Sequence, residues 1–377
     1  MRGLLAFVFL AGLPAQTARA QAPEYRLYVA NESSDLVSRV VFTPGEGLEV
    51  EKEIPVGIMP GDNDGAHGVS VSPDGRYWYV TIAHGTPRGY LWKFHAGPDT
   101  LVGRTRLGLF PATMGITPDG QFLLAVNFNL HGDMVPSDVS VVYTPEMIEV
   151  TRVRTCLMPH GSRVGAAGSR HYSACMHSDR LVEIDLETFE VSARFDVTPG
   201  MEGLERAGGE DRAGAGHGAM GDRVCSPTWV EPGAGARADR VVYVACNRNR
   251  EILEIDTERW EVSRRFATGM APYNLEVTAG GELLIATLKG EQAVAVFDLG
   301  TGEELGRIAT SRPVTHGVVA SPDGRYAFVS NESAGSVPGT LDVIDLETLA
   351  LVASIELQHQ SGGIDFWSVT PAAGGTR

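Results

Sequence analysis

The side chains best suited to chemistry in this chain of 377 residues are histidines with sulfur-bearing neighbours. It holds ten His, ten Met and four Cys. Three histidines stand in His-Gly pairs, His67-Gly68, His160-Gly161 and His316-Gly317, each six residues ahead of a turn position. Three more, His84, His131 and His177, close apolar stretches. Met158-Pro159-His160 and Cys175-Met176-His177 form the densest region. Imidazole, thiolate and thioether together are the set that soft metals prefer, copper above all. The expected metal ligands are His67, His160, Cys175, Met176, His177 and His316. His84, His131, His217 and Met220 are further ligands or parts of a lid. No compact motif such as HExxH is present, and the plainer reading has these histidines ordering water through hydrogen bonds.

Asn31-Glu32 and Asn331-Glu332 supply two carboxylates in matching contexts, suited to acid or base work; taken alone they read as loop caps. Asp62-Asn63-Asp64-Gly65 is a polar turn, since the remaining ligands of a calcium loop are missing. Four cysteines allow three connectivities. Cys225 lies close to Cys246 across a hairpin, so these two can pair, which would leave Cys175 as a free thiol. No CxxCH is present, so covalent haem is not expected. Neither a phosphate-cradling glycine loop nor Gly-x-Ser-x-Gly occurs.

The elements that position these residues form a repeat. An apolar strand leads to a turn, read as Ser72-Pro73-Asp74-Gly75, Thr117-Pro118-Asp119-Gly120 and Ser321-Pro322-Asp323-Gly324. Degraded copies are Gly165-Ala166-Ala167-Gly168, Glu231-Pro232-Gly233-Ala234 and Thr278-Ala279-Gly280-Gly281. Proline presets φ and glycine accepts the left-handed position, so each is a turn with a mechanism. A second strand follows, then a third such as Val182-Glu183-Ile184-Asp185, with apolar and polar residues alternating. Six units are complete. A seventh is split, with Tyr25-Arg26-Leu27-Tyr28-Val29 as its second strand and Ile364-Asp365-Phe366-Trp367-Ser368-Val369 as its first. Pairing the two ends closes a ring and removes the open sheet edges. The fold class is all-β, a seven-bladed β-propeller, with residues 21–377 as one domain and 199–223 as a loop inserted between blades four and five. The alternation of strands then sorts the histidines: the six named first gather on one face, at the mouth of the central channel.

Tyr28-Val29-Ala30-Asn31, Tyr79-Val80-Thr81-Ile82, Tyr243-Val244-Ala245-Cys246 and Phe328-Val329-Ser330-Asn331 resemble the strands of the YVTN, or YncE-like, propeller family. The resemblance implies the ring fold and leaves the activity open, because such rings host lactonases, lyases, haem and copper enzymes and binding proteins.

Arg2, the apolar run Leu4 to Leu13 and Ala18-Arg19-Ala20 read as a secretory signal over residues 1–20, giving a periplasmic or secreted protein. A net charge of −16 disfavours nucleic acid and anionic lipid, and no apolar run is long enough for membrane insertion. A monomer is expected, with a small molecule or metal ion as ligand and another periplasmic protein as a conceivable partner. Three readings stand: a binding propeller that holds a ligand such as copper, a metal-dependent oxidoreductase at the same face, and a metal-free lactonase-like or lyase-like enzyme using His316 and Glu332.

Overall fold

A computed structural model describes residues 22–58, 61–85, 87–205 and 224–371. The expected signal segment, His217 and Met220 lie outside them. Seven antiparallel sheets are arranged as expected. Blade two, for example, runs Ala66–Val71, Tyr77–Ile82, Tyr90–His95 and Thr100–Arg106 from the axis outward. Blade one is the split one: Ser361–Thr370 pairs with Glu24–Asn31, followed by Leu36–Thr43 and Gly47–Pro55. Among the described residues the only helical pieces are two short 3-10 turns, and no helix is long and apolar enough to cross a membrane.

Apolar residues on facing sheets fill the spaces between blades. Trp78 is fully buried, stacked on Phe94 at 4.2 Å and on Tyr28 at 4.9 Å. Its indole N–H and the Tyr28 hydroxyl both donate to Asp99, so these rings bury their polar edges without leaving them unpaired. The inserted segment begins in register with blade four: Gly203–Leu204 adds a fifth outer strand against Phe195–Asp196. Glu202 then reaches Arg265 of blade five at 2.6 Å.

One local device recurs at the start of every inner strand. The residue two places before the mouth position has positive φ in all seven blades: Gly65, Phe110, Met158, Ser226, Ala271, Val314 and Gln360. Six of these are not glycine, and each such residue costs roughly 1 kcal/mol or more. The ladder to the second strand then slips, between Ala66 and Val69, Pro159 and Ser162, and Thr315 and Val318 among others. Such irregularities re-aim side chains. Here they leave His67, His160, Tyr273 and His316 unpaired in the ladder, at the mouth of the axis. In blade four the slip puts Pro159, and not the neighbouring His160, opposite Cys175.

The glycine of each His-Gly pair lets adjacent inner strands approach. A Cβ on Gly317 would meet the Gly362 carbonyl oxygen at 2.5 Å, and one on Gly68 would meet that of Ala112 at 2.3 Å. Hydroxyls bridge the same seams. Thr81 accepts from the Gly68 N–H and donates to the Ala112 carbonyl, both at 2.8 Å. Thr287 joins Asn274 to the His316 carbonyl. Gly317→Ala must therefore push blade seven away from blade one, and is expected to lower stability by about 1–3 kcal/mol. A urea melt of the variant reads this directly.

Candidate acid-base site at the channel mouth

Five of the predicted histidines meet at the mouth. His67 lies 6.2 Å from His160 and 6.5 Å from His316, ring centre to ring centre, and His84 lies 6.1 Å from His131. Phe110 sits among His67, His84 and His131 at 5.3–5.4 Å, and Phe128 backs His160 at 4.9 Å. An aromatic floor thus carries a polar upper surface.

The imidazoles are held by carboxylates. Glu32 bridges His67 Nδ1 at 2.8 Å and His84 Nε2 at 2.7 Å. Across the mouth, Glu332 takes His316 Nε2 at 3.1 Å and Lys289 Nζ at 3.4 Å. His160 has both nitrogens engaged, with Thr228 O at 3.0 Å and the Tyr273 hydroxyl at 3.1 Å. Lys289 also lies 4.2 Å over the Tyr273 ring. His316 Nδ1 is buried and has no hydrogen-bond partner among the described residues.

These surroundings push the charge states apart. Burial would lower the His67 imidazole, but the Glu32 charge and hydrogen bond outweigh it and the net shift is upward. Burial opposes ionisation of Glu32 too, and the two histidines more than reverse that, holding it well below the usual carboxylate range. Burial, with the nearby charges of Lys289 and His67, takes His316 well below its ordinary value. Burial, then His67, takes His160 down to about 3. Burial raises Glu332. The mouth therefore holds His67, shifted toward its cationic form, beside neutral His160 and His316. A set of titratable groups driven apart in this way is the usual preparation for acid-base work.

The expected metal set is not assembled. Cys175 is bonded to Cys156, so it is no free thiol; Cys225 pairs with Cys246, as its hairpin suggested. Met176 packs against the apolar cluster that includes Phe128 and Met158. His177 lies in the loop after its strand, with its backbone N–H toward the Leu157 carbonyl at 3.4 Å. Among the described residues no three His, Cys, Asp or Glu side chains are grouped so as to hold a metal ion. The expected thiolate is absent and His160 has both nitrogens engaged, while His67, His84 and His316 each turn one nitrogen to a carboxylate.

Glu32 and Glu332 enter the site as the sequence suggested. Lys289 and Tyr273 were not foreseen. Both were discoverable by aligning the units: Lys289 stands just past its second strand, as Glu32 and Glu332 do, and Tyr273 takes the inner-strand position of His67, His160 and His316.

Below the mouth, Glu231, Glu276 and Asp365 face the axial cavity together with Arg163. Burial raises all three acids, Glu231 to about 7 and Glu276 well above its ordinary value, where the charge of Glu231 adds to the effect. A carboxyl raised in the folded state binds its proton there after the unfolded chain has released it. Its contribution therefore becomes less favourable as pH rises above about 4.5, by up to about 1.4 kcal/mol per unit until the folded value is reached. Glu276→Gln removes that dependence. The variant is expected to match wild type near pH 4 and to exceed its stability at pH 7, as read by urea melts across that range.

Fold and site together define a seven-bladed β-propeller with an acid-base cluster over its axis. No family profile matches the chain, and no curated protein does. Among solved structures it is similar to a functionally unknown protein from Desulfotomaculum acetoxidans DSM 771, at 14% identity and a TM-score of 0.66 over 90% of this chain and 98% of that one. It is similar to the periplasmic gluconolactonase PpgL of Pseudomonas aeruginosa, at 14% identity and a TM-score of 0.67 over 92% and 99%. It is also similar to dihydro-heme d1 dehydrogenase NirN in complex with DHE, at 16% identity and a TM-score of 0.59 over 94% of this chain and 77% of that one. At such identities the likeness shows the fold alone.

Proposed function

We propose that the protein is a metal-independent hydrolase of small hydroxylated lactones. The observation that carries this reading is His316: a buried, neutral imidazole with Nε2 on the Glu332 carboxylate and Nδ1 unpartnered at the mouth of the channel. With the proton on Nε2, 3.1 Å from the Glu332 carboxyl oxygen, the Nδ1 lone pair takes the proton of a water molecule as that water attacks the lactone carbonyl carbon. Lys289 and the protonated form of His67 stabilise the oxyanion that forms. The ring C–O bond then breaks, and the proton held on Nδ1 passes to the departing alkoxide, giving the open hydroxy acid. Glu32 favours the charged form of His67, and the aromatic floor limits competing water.

The fold's likeness to a periplasmic gluconolactonase supports the substrate class. An exported location belongs to the same proposal and is supported by the two disulfides, which persist in oxidising compartments. Membership of the YVTN, or YncE-like, propellers is likewise part of it, on the repeated Tyr-Val strands. A copper centre at this mouth would have no thiolate ligand and would lack His160, whose two nitrogens are both engaged.

Chelator-treated protein, assayed in a pH-stat with five- and six-membered aldonolactones and an acyclic ester, tests the reading. Ring opening that survives chelation is expected. Failure to accelerate any lactone, or activity restored only by added copper, would overturn it.

A further inference from the structure

Beneath His67 and His316 the ring is hollow. A cavity of about 310 Å³ extends from these imidazoles to Pro73 at the opposite face. The fifth residue of every inner strand lines it, and in four blades that residue is charged: Arg163, Glu231, Glu276 and Asp365. Arg163 pairs with Glu231 at 3.1 Å and lies 4.6 Å over the Trp229 ring. Glu276 accepts the Ala320 N–H at 3.2 Å. Asp365 accepts the Val71 N–H at 2.7 Å and the Ser70 hydroxyl at 3.3 Å. Neither has a cationic partner in the ion pairs of the described residues, so one guanidinium leaves two carboxylates without a counterion. The raised carboxyls beneath the mouth are the response expected of acids in that position.

A second observation points the same way. Asn274, 4% exposed, lines this cavity, and its Oδ1 has no hydrogen-bond partner. A buried acceptor left unpaired is costly. The acceptors come from blades one, five and six and do not converge as metal ligands do. Between them the wall is apolar, with Val69, Met114, Ile116, Val164 and Val318.

We propose that the axial cavity is a binding site for a linear organic diammonium, whose two charged ends answer Glu276 and Asp365 and whose alkyl stem lies on the apolar wall. An ammonium end also supplies the donor that Asn274 Oδ1 lacks. The proposal is independent of the hydrolytic reading, because Glu276, Asp365 and Asn274 take no part in that chemistry.

Calorimetric titration of the full chain with 1,4-diaminobutane tests it, with 1-aminobutane and calcium as comparison probes. One diamine per chain is expected, bound at least tenfold more tightly than 1-aminobutane and weakened at least tenfold by Glu276→Gln and by Asp365→Asn. Both variants are near-isosteric, and their melting curves, recorded alongside, report retained folding. No binding to wild type, equal binding of the monoamine, undiminished binding by both folded variants, or preference for calcium would each overturn the proposal.

Discussion

His316→Ala is expected to lower kcat for lactone opening by about 10²–10⁴-fold while changing KM little, the loss typical of a removed general base. The residue is expected to act in the transition state through Nδ1, whereas substrate is held mainly by Lys289, His67 and the surrounding polar surface. Glu332→Gln should reproduce much of this loss, since Gln can present its N–H to Nε2 and so turn the imidazole to the tautomer with Nδ1 protonated. A circular dichroism spectrum unchanged from wild type separates lost chemistry from lost fold. Equal kcat in wild type and His316→Ala would remove His316 from the mechanism.

The second large effect concerns the disulfides. Cys156–Cys175 closes a loop of 19 residues and Cys225–Cys246 one of 21. Loops of this size contribute roughly 3 kcal/mol each through the unfolded chain. Each bond ties the segment before an inner strand to the end of the second strand in the same blade. The first pair thereby fixes the start of the strand that carries His160, and the second that of Thr228, whose carbonyl holds His160 Nδ1. Replacing either pair by alanines is expected to lower Tm by roughly 5 °C in calorimetry. Removal of both should be close to additive, because the two bonds close separate loops. A change below 1 °C for either pair would show that the loops are already fixed without them.

The ring was legible because its signals are local and repeated. Pro-Asp-Gly turns, Tyr-Val strands and the split first blade each specify geometry within a few residues, and seven copies reinforce one another. The gathering of His67, His84, His131, His160 and His316 followed from strand direction alone. The chemistry of the cluster was harder to read. Which nitrogen of His316 stays free depends on Glu332, and the state of Cys175 depends on Cys156, a residue in a loop with no periodicity to place it. Lys289 lay hidden because a single lysine after a strand looks like solvent-facing charge. Glu231 was read as part of a degraded turn. It is in fact the fifth residue of the strand Pro227–Pro232, and a displacement of two residues moved it from the surface to the axis.

The protonation state of His316 bears most directly on the central claim. Nitrogen-15 NMR of histidine-labelled protein, with His316→Gln to assign the resonance, reports the charge and tautomer of this one ring. The account predicts a neutral imidazole at pH 6.5 to 8, with the proton on Nε2 and a bare Nδ1. A cationic ring in that range, or a proton resident on Nδ1, would contradict it.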